Sequence, residues 1–252
     1  MDARTIAQKV AAELVDAGAD AVVLGGSVVR GDEHTYSDID IVALGDGPPY
    51  SLRIVDDRLV SVSWSSADGI RQLFDSPPSA GATVPAWRTA EVLVDLRLRA
   101  RALQEFAHEW RWARIDEACD EWVALEFTGL AEEVFRLAGL VERGNEFGVA
   151  MMRSVLALRL PAVLAVHRRL FYATENELWQ IVADTFGAEW AAAHRAALGI
   201  DAAADVAARA ALRMWELAAR DLEALIIGED RAVVAAASVV AGSLSRNPSS
   251  AS

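Results

Sequence analysis

Asp38 and Asp40 stand two residues apart in Asp38-Ile39-Asp40-Ile41-Val42, where charge alternates with β-branched apolar residues. That alternation predicts a half-buried strand. On a strand, residues i and i+2 share a face and lie about 7 Å apart. The two carboxylates then stand side by side, while Ile39 and Ile41 point into the core. Two close carboxylates repel, and left alone one tends to take up a proton. A divalent cation removes the conflict, and Mg²⁺ usually takes one or two carboxylates together with substrate phosphates. Upstream, Val22 to Leu24 reads as a short buried strand that ends at Gly25-Gly26-Ser27. A tight turn and a close approach of backbone to ligand cost little there. Exposed N–H groups and the Ser27 hydroxyl can hold phosphate oxygens. Arg30, three residues on, can add a charge-assisted contact. One short stretch thus carries a phosphate cradle and a metal pair.

The elements around this stretch position it. Residues 3–17 have Ile6, Val10, Leu14 and Ala17 at helical spacing, with Gly18 as the stop. Gly45 to Pro49 is a turn. Ser51 to Val55 and Leu59 to Trp64 read as strands around Asp56-Asp57-Arg58, which makes a turn. Residues 67–74 read as a short helix, 75–81 as a loop and 91–96 as a last strand, with Asp95 near its end. From Arg97 onward, long patterns rich in Ala, Leu, Arg and Glu predict helices near 97–112, 116–143, 146–172, 175–185, 189–198, 202–227 and 229–245. Pro161 falls inside one of them. The expected fold is α+β: a small mixed sheet with flanking helices over 1–96, then a helical bundle over 97–245. Residues 246–252 read as a disordered tail.

Composition narrows the partners. The net charge of −13 argues against broad nucleic-acid or anionic-membrane binding. A single cysteine, Cys119, allows no internal disulfide and fits a reducing, cytoplasmic compartment. It sits in a helical pattern and reads as packed. The N-terminus lacks the basic-then-apolar form of a signal peptide. Val149 to Phe171 is apolar, but Arg153, Arg159, Pro161, His167, Arg168 and Arg169 interrupt it, so it reads as a buried helix, not a membrane span. His108 and His194 have no partner at metal spacing, which makes zinc a poor fit. His167-Arg168-Arg169 could reach a triphosphate, but reads better as a dipole-matched helix end. His34 reads as an exposed loop residue. Trp110, Trp112 and Trp122 read as core rather than as a ligand groove.

Gly26-Ser27, ten further residues, then Asp38-Ile39-Asp40 resembles the signature of the nucleotidyltransferase superfamily that includes DNA polymerase β. Arg30 and Tyr36-Ser37 resemble its small antibiotic-modifying branch. Ala131 to Gly139 and Val166 to Thr174 look like helices of the kanamycin nucleotidyltransferase group. The resemblance implies transfer of a nucleotidyl group from a Mg²⁺-bound nucleoside triphosphate, ATP first among them. The acceptor would be a small-molecule hydroxyl such as an aminoglycoside antibiotic, and pyrophosphate would leave. It implies Asp38 and Asp40 as metal ligands, Gly26, Ser27, Arg30 and Ser37 at the nucleotide, and a homodimer.

The sequence departs from that group at two positions. The third metal-facing carboxylate is Ser61, a neutral and poor ligand. The position of the family's base is Arg136, which cannot accept a proton. Three readings stay open. Two carboxylates suffice, with Glu133 or Glu126 as base, since phosphoryl-type transfer leans mainly on positioning and electrostatics. Or the acceptor is neutral or acidic, as Arg136 would suit. Or the chain binds nucleotide without effective catalysis, as a regulatory or toxin–antitoxin-type partner.

Overall fold

The computed structural model describes residues 1–200 and 202–246. The chain forms two units, Met1–Ile115 and Asp116–Ser252.

In the first unit, α1 (Ala3–Asp16) starts at Asp2, whose carboxylate accepts from the Thr5 amide at 2.9 Å. Five strands follow: β1 (Ala21–Leu24), β2 (Ile39–Leu44), β3 (Tyr50–Val55), β4 (Arg58–Ser65) and β5 (Glu91–Asp95). Their order across the sheet is β3-β4-β2-β1-β5, with β2 and β4 parallel and the other pairs antiparallel. Ile6, Val10 and Leu14 of α1 pack on one face, against Val22, Leu24, Ile39, Ile41, Val60 and Val62. The opposite face carries Val42, Asp40 and Ser61. β3 and β4 meet at Asp56-Asp57, both with positive φ (47° and 62°), the left-handed pair that a two-residue hairpin turn requires.

With the short α2 (Gly26–Arg30) between β1 and β2, three longer helices complete this unit: α3 (Ala67–Phe74), α4 (Pro77–Thr89) and α5 (Arg99–Glu109). Phe74 joins them, edge-on to Trp87 and stacked on Phe106. Of residues 75–81, expected as loop, Asp75 and Ser76 join α3 to α4, while residues 77–81 open α4. Pro77 and Pro78 occupy its first turn, where the missing N–H costs nothing. The helix expected over 97–112 is shorter. Leu98 precedes it in a left-handed conformation, Trp110 is extended, and a 3-10 turn follows at Trp112–Arg114. The unit boundary falls after Ile115 rather than near residue 97. α5 packs on α4 and β5, and Arg97 and Arg99 both bind Asp20. Trp110 is core, its indole N–H on Asp75.

The second unit is helical. α6 (Asp116–Glu142) and α7 (Glu146–His167) pack along each other and are followed by α8 (Glu175–Phe186), α9 (Ala188–Ala197), α10 (Ala204–Asp221) and α11 (Gly228–Ser245). Phe127 stacks on Trp215 at 4.2 Å in the core. α7 ends at His167, short of the expected 172, because Arg169 turns left-handed. α10 likewise ends at Asp221 rather than 227. α7 is the described helix long and apolar enough to cross a membrane by length and composition, and 44% of its most apolar window is buried. The tail expected to be disordered lies, from Asn247 on, outside the described residues.

Candidate active site

β1 brings the cradle to the carboxylates. Its pairing with β2 runs to Leu24↔Ile41, and the Gly25 amide extends it by donating to the Asp40 carbonyl at 2.9 Å. The next residue, Gly26, has φ +66°, and a Cβ there would lie 1.9 Å from Asp40 Oδ2. Only a glycine lets the backbone pass the carboxylate this closely. The expected Gly-Ser turn is one short helix, α2 (Gly26–Arg30), closed by Gly31 in the left-handed region. At five residues it offers the free amides of a first turn rather than a helix dipole. The loop then runs through Asp32 to Ser37.

β4 supplies the other side. The parallel register places Ser61 beside Asp40, and the Ser61 hydroxyl donates to Asp40 Oδ1 at 2.9 Å. Ser61 is 6% exposed, one of two polar residues buried among those described. Burial pushes the Asp40 carboxyl above its ordinary range. The Ser61 hydrogen bond and the Arg30 charge pull it down, while Asp38, by charge and by a shared hydrogen bond, pushes it up. Asp38 lies one residue ahead of the strand and on the Asp40 face.

Of the predicted site residues, Gly26, Ser27, Arg30, Asp38 and Asp40 come together. Arg30 is also tied by Nε to Asp32 at 3.2 Å. Ser37 closes the loop: its hydroxyl accepts from the His34 amide and its own amide donates to the His34 carbonyl, both at 2.9 Å. His34 is exposed, as expected. Asp95 takes no part in the pair; its Oδ2 accepts from the Arg101 amide at the start of α5.

Glu133 belongs to the second unit. On α6 its Oε2 lies 3.5 Å from Arg136, which also holds Glu132, and Glu126 is bound by Arg159 of α7 at 2.7 Å. The basic cluster at the end of α7 is engaged by carboxylates. Arg168 and His167 face Asp221, and Arg169 binds Asp116 and Asp120 at the start of α6. Cys119 is buried, its thiol pushed up to about 11 by that burial, so it is packed and unreactive.

The donor set decides what cation fits. No group of three or more His, Cys, Asp or Glu able to hold a metal occurs among the described residues. Two carboxylates, one already bonded by Ser61, make a poor site for a bare ion. They fit a Mg²⁺ that brings phosphate and water oxygens with it. The serine at the third position was legible in the sequence as a lost ligand. Its role as hydrogen-bond donor to Asp40 was not, because that depends on the β2–β4 register.

Residues 6–112 match the family model of the nucleotidyltransferase domain. No curated protein matches the chain. Among solved structures, the crystal structure of a nucleotidyltransferase-like protein from Exiguobacterium sibiricum 255-15 superposes with a TM-score of 0.52 at 10% identity, covering 96% of this chain and 78% of its own. At that identity the likeness is one of fold. Together they support the nucleotidyltransferase superfamily; neither reaches its aminoglycoside-modifying branch.

Proposed function

We propose that the chain is a nucleotidyltransferase that moves a nucleoside monophosphate from a triphosphate, ATP first among them, to a small-molecule hydroxyl. The observation that carries this reading is the passage of the Gly26 backbone against the Asp40 carboxylate. It joins a phosphate cradle to a metal-binding pair within one hydrogen-bonded turn. The match of residues 6–112 to the nucleotidyltransferase domain supports it.

In this reading the amides at Gly26 and Ser27, with the Ser27 hydroxyl, hold the β- and γ-phosphates, and Arg30 and Ser37 flank them. Asp38 and Asp40 hold Mg²⁺, whose chemistry is to draw charge from the phosphate oxygens. Ser61 keeps Asp40 Oδ1 in place by donating to it. The acceptor oxygen bonds to the α-phosphorus, the bond to the bridging oxygen breaks, and pyrophosphate leaves with the electron pair. The acceptor's proton passes to water; Glu133, offered as base by the helix motif alone, lies in the second unit. An aminoglycoside-like acceptor and a homodimer rest on the likeness of the bundle helices alone. The net charge of −13 argues against nucleic acid or an anionic membrane as a partner.

Calorimetric titration with ATP, GTP, CTP and UTP, each with and without Mg²⁺, tests the assignment. Metal-dependent binding should appear in the parent and weaken about a hundredfold in Asp40→Asn, the loss of a charge-assisted metal contact. Equal binding by both proteins would remove the pair from the site.

A further inference from the structure

On the Asp40 face, rows of residues run from β2 to the free edge of the sheet. Asp40, Ser61 and Leu52 are successive partners across β2, β4 and β3, and Val42, Ser63 and Tyr50 form the next row. Ile54 pairs with Leu59, at the level of Asp38. Tyr50, Leu52 and Ile54 are 57%, 54% and 68% exposed, and Leu59 is 38% exposed. Their neighbours Ser51, Arg53 and Val55 face the α1 side, where Arg53 binds Glu13. An edge strand normally turns charge or proline to water. Here the water-facing side is apolar and uncharged, and it is continuous with the carboxylate pair. Strands lie about 4.8 Å apart, so Leu52 is about 10 Å from Asp40 across the sheet.

We propose that this stripe is the platform on which the acceptor lies, and that the acceptor is a neutral hydroxyl-bearing molecule with an apolar ring face. The proposal rests on the nucleotidyl-transfer reading. In such a transfer the attacking and leaving oxygens stand in line, on opposite sides of the α-phosphorus. With the β- and γ-phosphates at Gly26 and Ser27, on the β1 side of Asp40, the attacking hydroxyl comes over β4 and β3. The stripe occupies that side. Rings laid on Leu52 and Ile54 would remove apolar surface from water on both sides of the contact. Beyond the metal pair, the rows carry no carboxylate to meet a polycationic amino sugar.

The full-length parent and a Leu52→Ser/Ile54→Ser double variant test this, since both positions are exposed and tolerate change. Mg·ATP affinity is measured by calorimetry. Binding of 4-nitrophenyl β-glucoside and of kanamycin is measured by saturation-transfer NMR with Mg²⁺ and α,β-methylene-ATP present. The parent should bind the aryl glucoside in preference to kanamycin. The double variant should lose about fivefold or more in glucoside affinity and keep its Mg·ATP affinity. Equal glucoside binding by both proteins overturns the platform, as does a preference for kanamycin. So does a parent dimer that the variant dissolves in sedimentation, because the stripe is then an interface between copies. Nucleotide binding without glucoside binding sinks the platform alone; absence of Mg·ATP binding sinks the transfer reading, and the platform with it.

Discussion

The Asp40 carboxylate has one oxygen bonded by Ser61 and the other set against the Gly26 backbone. Burial raises its pKa above the ordinary 3.8. Between those two values the folded chain holds the proton more tightly than the unfolded one, so stability falls as pH rises through that window. The cost is present in full above the raised pKa and absent below 3.8. Asp40→Asn imitates the neutral form and still accepts from Ser61. It should raise Tm at neutral pH and give no gain at pH values below 3.8. Thermal unfolding of both proteins across that range checks this. A variant less stable than the parent at pH 7 would mean that the ionised carboxylate is better held than its burial implies. Mg²⁺-bound nucleotide relieves the same cost, so its affinity should weaken as acid protonates the residue.

At the scale of elements, α7 carries Pro161 in its interior. A proline has no N–H, so the carbonyl four residues back, that of Ala157, loses its helical partner. His194 of α9, 4% exposed, faces that carbonyl, which raises its pKa against the effect of burial, while its Nε2 is buried without a hydrogen-bond partner among the described residues. His194→Leu should therefore cost about 2 kcal/mol in the parent by leaving a buried carbonyl unmet. In a Pro161→Ala background the restored helix bond should halve that loss, which a double-mutant cycle by urea unfolding measures. Equal losses in both backgrounds would uncouple the two residues. Burial also lowers the His194 pKa below 6.5. The unfolded chain binds the proton first, so the stability from neutral His194 is present above pH 6.5 and lost as pH falls from there towards the folded pKa. These elements differ in how far the sequence revealed them. α1, β1 and β2 follow from apolar period alone. α4 did not, because Pro-Pro-Ser-Ala-Gly reads as loop, and what holds it as a helix is its own Trp87 packing on Phe74 of α3. Asp38, Asp40 and Gly26 were legible as a local motif. The Leu52–Ile54 stripe was not, because which strand face meets water depends on a sheet order set by distant pairings.

For the whole molecule, the division after Ile115 gives each unit its own buried core. A chain ending at Ile115 should fold and bind Mg·ATP within about threefold of the parent, since the cradle and the carboxylate pair lie inside it. Glu133 lies outside it, so transfer by the fragment reads whether that residue is needed. Circular dichroism and calorimetry on that fragment check the first point, and pyrophosphate release the second. A fragment that transfers at the parent's rate would remove Glu133 from the reaction. The Asp56-Asp57 turn bears on how such a chain is made. Strand β2, with the carboxylate pair, leaves the ribosome about twenty residues before β4. At about 5–20 residues per second, that is a wait on the order of seconds. Once β4 emerges, a two-residue turn closes β3 onto it within about 10 μs. Until then Asp40 sits in water, where its charge is cheap. During synthesis the carboxylate pair is thus exposed before Ser61 exists, and meets it when a finished hairpin docks in parallel beside β2.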